Sequence, residues 1–145
     1  MYLPVLRPRP AGPDFPGADR LASGKGERIL LIDDDPLVLE AIEEMLSAYG
    51  YEVTTATGGR EGVQLFSEAP ERINLVLTDV VMPGFSGRKV FHRIREMRRD
   101  VKVLFSSGNQ VELPEAVEEN GAAFIQKPYS LSELLKGIRQ MLDRP

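Results

Sequence analysis

Ile29-Leu30-Leu31-Ile32-Asp33-Asp34-Asp35-Pro36 is the stretch that decides the fold. Four consecutive apolar residues, with no polar alternation, describe a short strand buried on both faces, as in a parallel sheet. The chain then turns to three carboxylates and a proline. Asp35 suits a helix N-cap and Pro36 the first helical position, where its missing N–H is no loss. Val38, Ile42, Met45 and Tyr49 follow at three- and four-residue spacing, and Gly50 suits a left-handed stop. The unit is a strand, a charged turn and an amphipathic helix.

The same unit recurs outward from this point. Apolar runs cover Asn74–Thr78, Val101–Phe105 and Ala123–Gln126, while Tyr51–Ala56 alternates and reads as a strand nearer an edge. Helical spacing covers 59–68, 86–98, 114–120 and 130–142. The last of these opens with Ser130 and Glu133 at capping-box spacing and presents Leu134, Leu135, Ile138 and Met141. Five strands alternating with five helices predict a parallel sheet with right-handed crossovers, hence a three-layer α/β domain.

At 145 residues the chain is long enough for one ordinary domain. Its first 26 residues hold five prolines and four glycines, too many for packed structure. Residues 1–27 are therefore expected to be a flexible Pro/Gly-rich linker, and 28–145 the folded domain. Gly24-Lys25 is not a phosphate-binding loop, because Gly26 stands where a hydroxyl residue would hold magnesium. The net charge of −4 argues against non-specific nucleic-acid binding. The absence of cysteine removes disulfides, thiolate metal sites and cysteine nucleophiles, and a single histidine, His92, argues against a multi-histidine metal centre. No apolar run approaches the ~20 residues of a membrane span. Pro4, Pro8 and Pro10 interrupt any signal peptide, so a cytoplasmic setting is expected.

Functional groups of open α/β sheets gather beyond the carboxyl ends of the strands. Strand 1 ends in Asp33-Asp34-Asp35, strand 3 in Asp79, strand 4 in Ser106-Ser107-Gly108 and strand 5 in Lys127-Pro128. Taken singly, each is ordinary: an N-cap with solvated neighbours, a turn aspartate, a loop serine, a strand-ending lysine. Their joint placement on four strand ends is more specific. Crowded carboxylates call for a cation, and an oxygen-only donor set favours a hard ion such as magnesium. A metal, an ammonium and a hydroxyl together match a phosphoryl group, whose oxygens need neutralising in transfer. Asp79, at the tip of a central strand, is best placed to become an aspartyl phosphate.

The segments ILLIDDDPLV, VLTDVVMPGFSG, VLFSSG and FIQKPYS resemble the receiver domain of two-component response regulators, over residues 28–143. The resemblance implies a flavodoxin-like, doubly wound (βα)5 fold with a five-stranded parallel sheet of order 2-1-3-4-5. It implies Asp79 as phosphoacceptor, Lys127 as the lysine pairing with the phosphoryl group, and Ser107 as the switch hydroxyl. Magnesium, or manganese, would be held by Asp34, Asp79 and the Val81 backbone carbonyl, with Asp33 acting indirectly. Pro128 matches the family's cis-proline. The aromatic switch position holds Phe124 rather than tyrosine, so no phenol can report the switch from there. The apolar Val81 implies a phosphoryl lifetime longer than in relatives with an acid or amide at that position.

The implied partners are a histidine kinase or histidine phosphotransfer domain. A homodimer through the 114–120 helix, the fifth strand and the last helix is a further expectation. Tyr2-Leu3-Pro4-Val5-Leu6 is similar to the final strand of a histidine-kinase ATP-binding domain, and the chain ends soon after its last helix. The expected setting is thus the receiver of a hybrid sensor kinase, a regulatory domain rather than a turnover enzyme and tethered through a membrane-bound sensor. The alternative is a stand-alone regulator or a phosphorelay intermediate. A magnesium-dependent aspartyl phosphatase would want an acid at position 81, and an FMN binder a hydroxyl-rich loop after strand 1. The basic run Arg88, Lys89, Arg93, Arg95, Arg98 and Arg99 reads as a solvated helix face, with His92 exposed among it.

Overall fold

The structure is a computed structural model and describes residues 23–108 and 122–144. Five strands, β1 (Arg28–Ile32), β2 (Glu52–Ala56), β3 (Leu75–Asp79), β4 (Lys102–Ser107) and β5 (Ala123–Gln126), form one sheet. Their order is β2-β1-β3-β4-β5 and every pairing is parallel. The helices are α1 (Pro36–Ala48), α2 (Gly59–Glu68), α3 (Gly87–Met97) and α4 (Leu131–Leu142), with a 3-10 turn at Pro70–Arg72. The sequence-predicted helix at 114–120 lies outside the described residues, and with it part of the expected dimer face.

Two cores sandwich the sheet. Leu30, Ile32, Val76, Val103 and Phe105 face α2 and α3, where they meet Phe66, Val90 and Ile94. Ile29, Leu31, Leu75, Leu77 and Leu104 face α1 and α4, where they meet Leu39, Ile42, Leu46, Leu134 and Ile138. This two-sided burial is why the central strands lack alternation. β2 is an edge strand, as expected, and its residues 53–55 are half-buried. β5 is the other edge, and its residues 123–125 are only half-buried despite their apolar sequence. The helix starts follow their capping chemistry: Asp35 accepts from the Leu37 N–H, Ser86 from Lys89, and Ser130 and Glu133 form a capping box.

Residues 23–27 differ from the linker expectation. The Gly24 N–H donates to the Tyr49 carbonyl at 2.6 Å and the Gly26 N–H to the Gly50 carbonyl at 2.8 Å. Glu27 pairs with Arg139 of α4 at 2.7 Å, and Arg139 also donates to the Ser23 carbonyl at 3.2 Å. Glycine composition here marks a close approach rather than looseness: a side chain on Gly24 would meet the Tyr51 ring at 2.6 Å. The packed part of the chain begins by Ser23.

Candidate phosphoacceptor and metal site

The carboxyl ends of β1, β3, β4 and β5 open on one rim, and the groups derived from the sequence meet there. Asp33 follows β1 and is buried; its Oδ1 accepts the Asp35 N–H at 2.9 Å, which orients it at the head of α1. Asp34, next to it, is exposed. Asp79 ends β3, half-buried, directly beside Ser106 of β4 in register. Carboxylate oxygens of Asp33, Asp34 and Asp79 lie within 4.8 Å of one another. Lys127, just past β5, puts its Nζ 3.3 Å from Asp33 Oδ2 and 3.6 Å from Asp79 Oδ2. The Lys127–Pro128 peptide is cis, and the Lys127 N–H donates to the Ser107 carbonyl at 2.8 Å.

The electrostatics follow from this crowding. Burial pushes the Asp79 carboxyl above its ordinary range and the Asp33 charge adds to this; Lys127 and the Val81 and Val80 N–H groups oppose it. Burial pulls the Lys127 ammonium down, but Asp79 and Asp33 outweigh it and hold the ammonium above the usual lysine value. Three carboxylates against the single positive charge of Lys127 leave the cluster negative. An oxygen-only donor set with excess negative charge fits a hard divalent cation, as magnesium or manganese would be.

The other predicted residues lie farther out. Ser107 is buried at the end of β4, and Phe124 is half-buried on β5. Phe124 pairs in register with Phe105 and packs on the core facing α2 and α3. Ser107, two residues past Phe105, lies on that same sheet face. Val81 is 59% exposed on the loop between β3 and α3. His92 and most of the basic run on α3 are exposed.

Sequence reasoning missed Tyr129 and Val38. With Gly108, Lys127 and Pro128 they line a groove of about 460 Å³ beside the carboxylates. Burial pushes the Tyr129 phenol up; Lys127 opposes this, and Asp33 and Asp79 add to it. The aromatic directly after Lys127-Pro128 was the available signal. Val38 had none, since its spacing marks it as core.

The arrangement matches known proteins. Residues 29–139 fit the family model of the response regulator receiver domain. The chain belongs to that family. This receiver domain is 34% identical over 119 residues to the response regulator MprA of Mycolicibacterium vanbaalenii, covering 81% of the chain and 51% of that protein. It is 30% identical over 121 residues to the sensor kinase CckA of Brucella abortus, covering 80% of the chain and 12% of that protein. Among solved structures, the response regulator TrrA of Thermotoga maritima in complex with Mg(2+)-BeF superimposes with a TM-score of 0.70 at 29% identity, covering 80% of this chain and 99% of that one. The receiver domain thus spans about half of MprA and a small part of CckA. Among the described residues, no helix is long and apolar enough to cross a membrane.

Proposed function

We propose that this receiver domain accepts a phosphoryl group on Asp79 from the phosphohistidine of a histidine kinase or histidine phosphotransfer domain. The observation that carries the proposal is the meeting of three carboxylates within 4.8 Å with the Lys127 ammonium on Asp79. In the transfer the donor's P–N bond breaks as a P–O bond forms to an Asp79 oxygen. The departing imidazole nitrogen keeps the bonding pair and takes a proton from solvent. Asp79 must attack as a carboxylate, and Lys127 opposes the burial that would protonate it. Lys127 then faces the charge that develops on the phosphoryl oxygens.

Asp34, Asp79 and the Val81 carbonyl would hold the divalent cation, with Asp33 supporting it indirectly. The cation supplies further neutralisation of the phosphoryl oxygens. Ser107 would donate its hydroxyl to the new phosphoryl group, and Phe124, on the same sheet face, would turn into the space so vacated. The Mg(2+)-BeF complex of TrrA lends support by analogy, as the complex of a related receiver.

We place the domain in a hybrid sensor kinase, as a regulatory module of a larger signalling protein. Its similarity to CckA supports this, and its similarity to MprA supports the alternative of a separate response regulator. Incubation with labelled acetyl phosphate and Mg2+ tests the chemistry. Wild type is expected to take up acid-stable, base-labile label, and Asp79→Asn to take up none. Label persisting in Asp79→Asn would move the acceptor elsewhere.

A further inference from the structure

The charge of this chain is divided between its two helical layers. Residues 29–59 contain seven Asp/Glu and no Lys/Arg, whereas 86–99 contain six Lys/Arg and one Glu. α1 carries Glu40, Glu43 and Glu44 of the first set and packs on one face of the sheet; α3 carries Arg88, Lys89, Arg93 and Arg95 of the second and packs on the opposite face.

α3 sets charge against its own dipole at its start, and α1 leaves its negative end without a compensating base. α3 has no acid in its first turn and instead begins with Arg88 and Lys89 at its positive end. α1 has no base in its last turn and holds Glu43 and Glu44 toward its negative end. Neither arrangement helps its own helix, and residues that break a local rule in this way point to a partner. Lys89 shares the ring of Phe85 with Arg60, at 5.7 and 5.5 Å, which gathers a further cation at the same end of α3. Among the described residues, Arg88, Lys89 and Arg93 make no salt bridge.

The exposed residues of the two helices also match in spacing. Along α1, Leu37 (75% exposed), Glu40 and Glu44 are exposed within one stripe. Along α3, Met97 (40% exposed), Arg93 and Lys89 run in the reverse direction. Each step is three or four residues, one helical turn. Laid antiparallel, Leu37 meets Met97, Glu40 meets Arg93 and Glu44 meets Lys89. The negative end of α1 then lies on the basic, positive end of α3, which supplies each end with the opposite charge it lacks.

We propose that α1 of one copy docks antiparallel along α3 of a second copy. The occupant is a second copy because the acid stripe that complements the basic one is on this same chain. Because the two surfaces differ and lie on opposite sides of the sheet, the contact is heterologous, and each copy added leaves both surfaces open. Exposed ion pairs are weak singly, so the association needs high protein concentration and low salt.

Sedimentation velocity of the full chain over a concentration series tests it. At low ionic strength the average mass is expected to rise past that of a dimer. In about 1 M salt, where screening acts over about 3 Å, it is expected to return to monomer. Lys89→Glu with Arg93→Glu, and separately Glu40→Lys with Glu44→Lys, are expected to abolish association while circular dichroism reports an intact fold. The four changes combined leave the net charge of wild type and reverse both stripes, and are expected to restore it. Several results overturn the proposal: a monomer throughout, a species closing at a dimer, indifference to salt, or a four-fold variant that stays monomeric. Binding of duplex DNA by a chain that does not self-associate would instead assign the α3 face to a polyanion.

Discussion

Gly87 opens α3 against the tip of β3, and its backbone touches the residue that the proposed chemistry depends on. A methyl group built there would lie 2.2 Å from the Asp79 carbonyl oxygen and 3.0 Å from the Val80 Cα. Both neighbours are backbone atoms, and the Gly87 N–H is itself bonded to the Val80 carbonyl at 2.9 Å. The clash therefore has to be relieved by moving the end of β3 rather than a side chain. Gly87→Ala is expected to cost about 1–3 kcal/mol in urea unfolding, the range of overpacked sites. It is also expected to slow labelling of Asp79 by acetyl phosphate, although every charged group of the rim is retained. Full stability with full labelling would show that the strand tip yields at no cost.

The elements show where sequence is sufficient and where it is not. α4 carries Arg139 in its last turn, which joins the helix to Glu27 at 2.7 Å and to Asp143 at 3.0 Å. Burial raises the Glu27 carboxyl, but its hydrogen bonds, led by the one from Arg139, outweigh this and hold it below its ordinary value. A carboxyl lowered in the folded state adds stability above its unfolded pKa, and that stability is lost as pH falls through the folded pKa. Glu27→Gln should therefore lower Tm at neutral pH and leave it little changed in acid, where the wild-type contact is also lost; an equal Tm deficit at both ends of the pH range would mean that Arg139 binds the neutral group as well. This contact was not legible in the sequence, because composition alone placed residues 23–27 in a linker and nothing local ties Glu27 to a residue 112 positions away. The central strands were legible because burial on both faces leaves no alternation to misread, and Asp35 and Ser130 announce the helices they cap. The carboxylates and Lys127 were legible from their positions at strand ends. Tyr129 and Val38 were not, since a groove wall requires knowing which side chains face each other across it.

At the scale of the whole molecule, the fold gathers Asp33, Asp34 and Asp79 at one rim, where among the described residues only Lys127 pairs with them. The Asp79 carboxyl is raised by burial and by Asp33, so its ionised form is disfavoured in the folded state, and at neutral pH it subtracts from stability. A cation that binds only the folded chain reverses this. At a hundred-fold excess over its Kd it adds about 2.7 kcal/mol, which for a domain of this size is on the order of 10 °C in Tm. Asp79→Asn should then have opposite effects in the two conditions. Without metal the variant should melt higher than wild type, because the buried charge and its repulsion by Asp33 are gone. With excess Mg2+ its further rise should be much smaller than that of wild type, because an anionic donor is replaced by a neutral amide. Thermal melts of both proteins, in chelator and in excess Mg2+, make the comparison. If the metal raised both proteins equally, Asp79 would not be among its ligands; if the variant were less stable in chelator, the carboxylate would be held by contacts stronger than its repulsion.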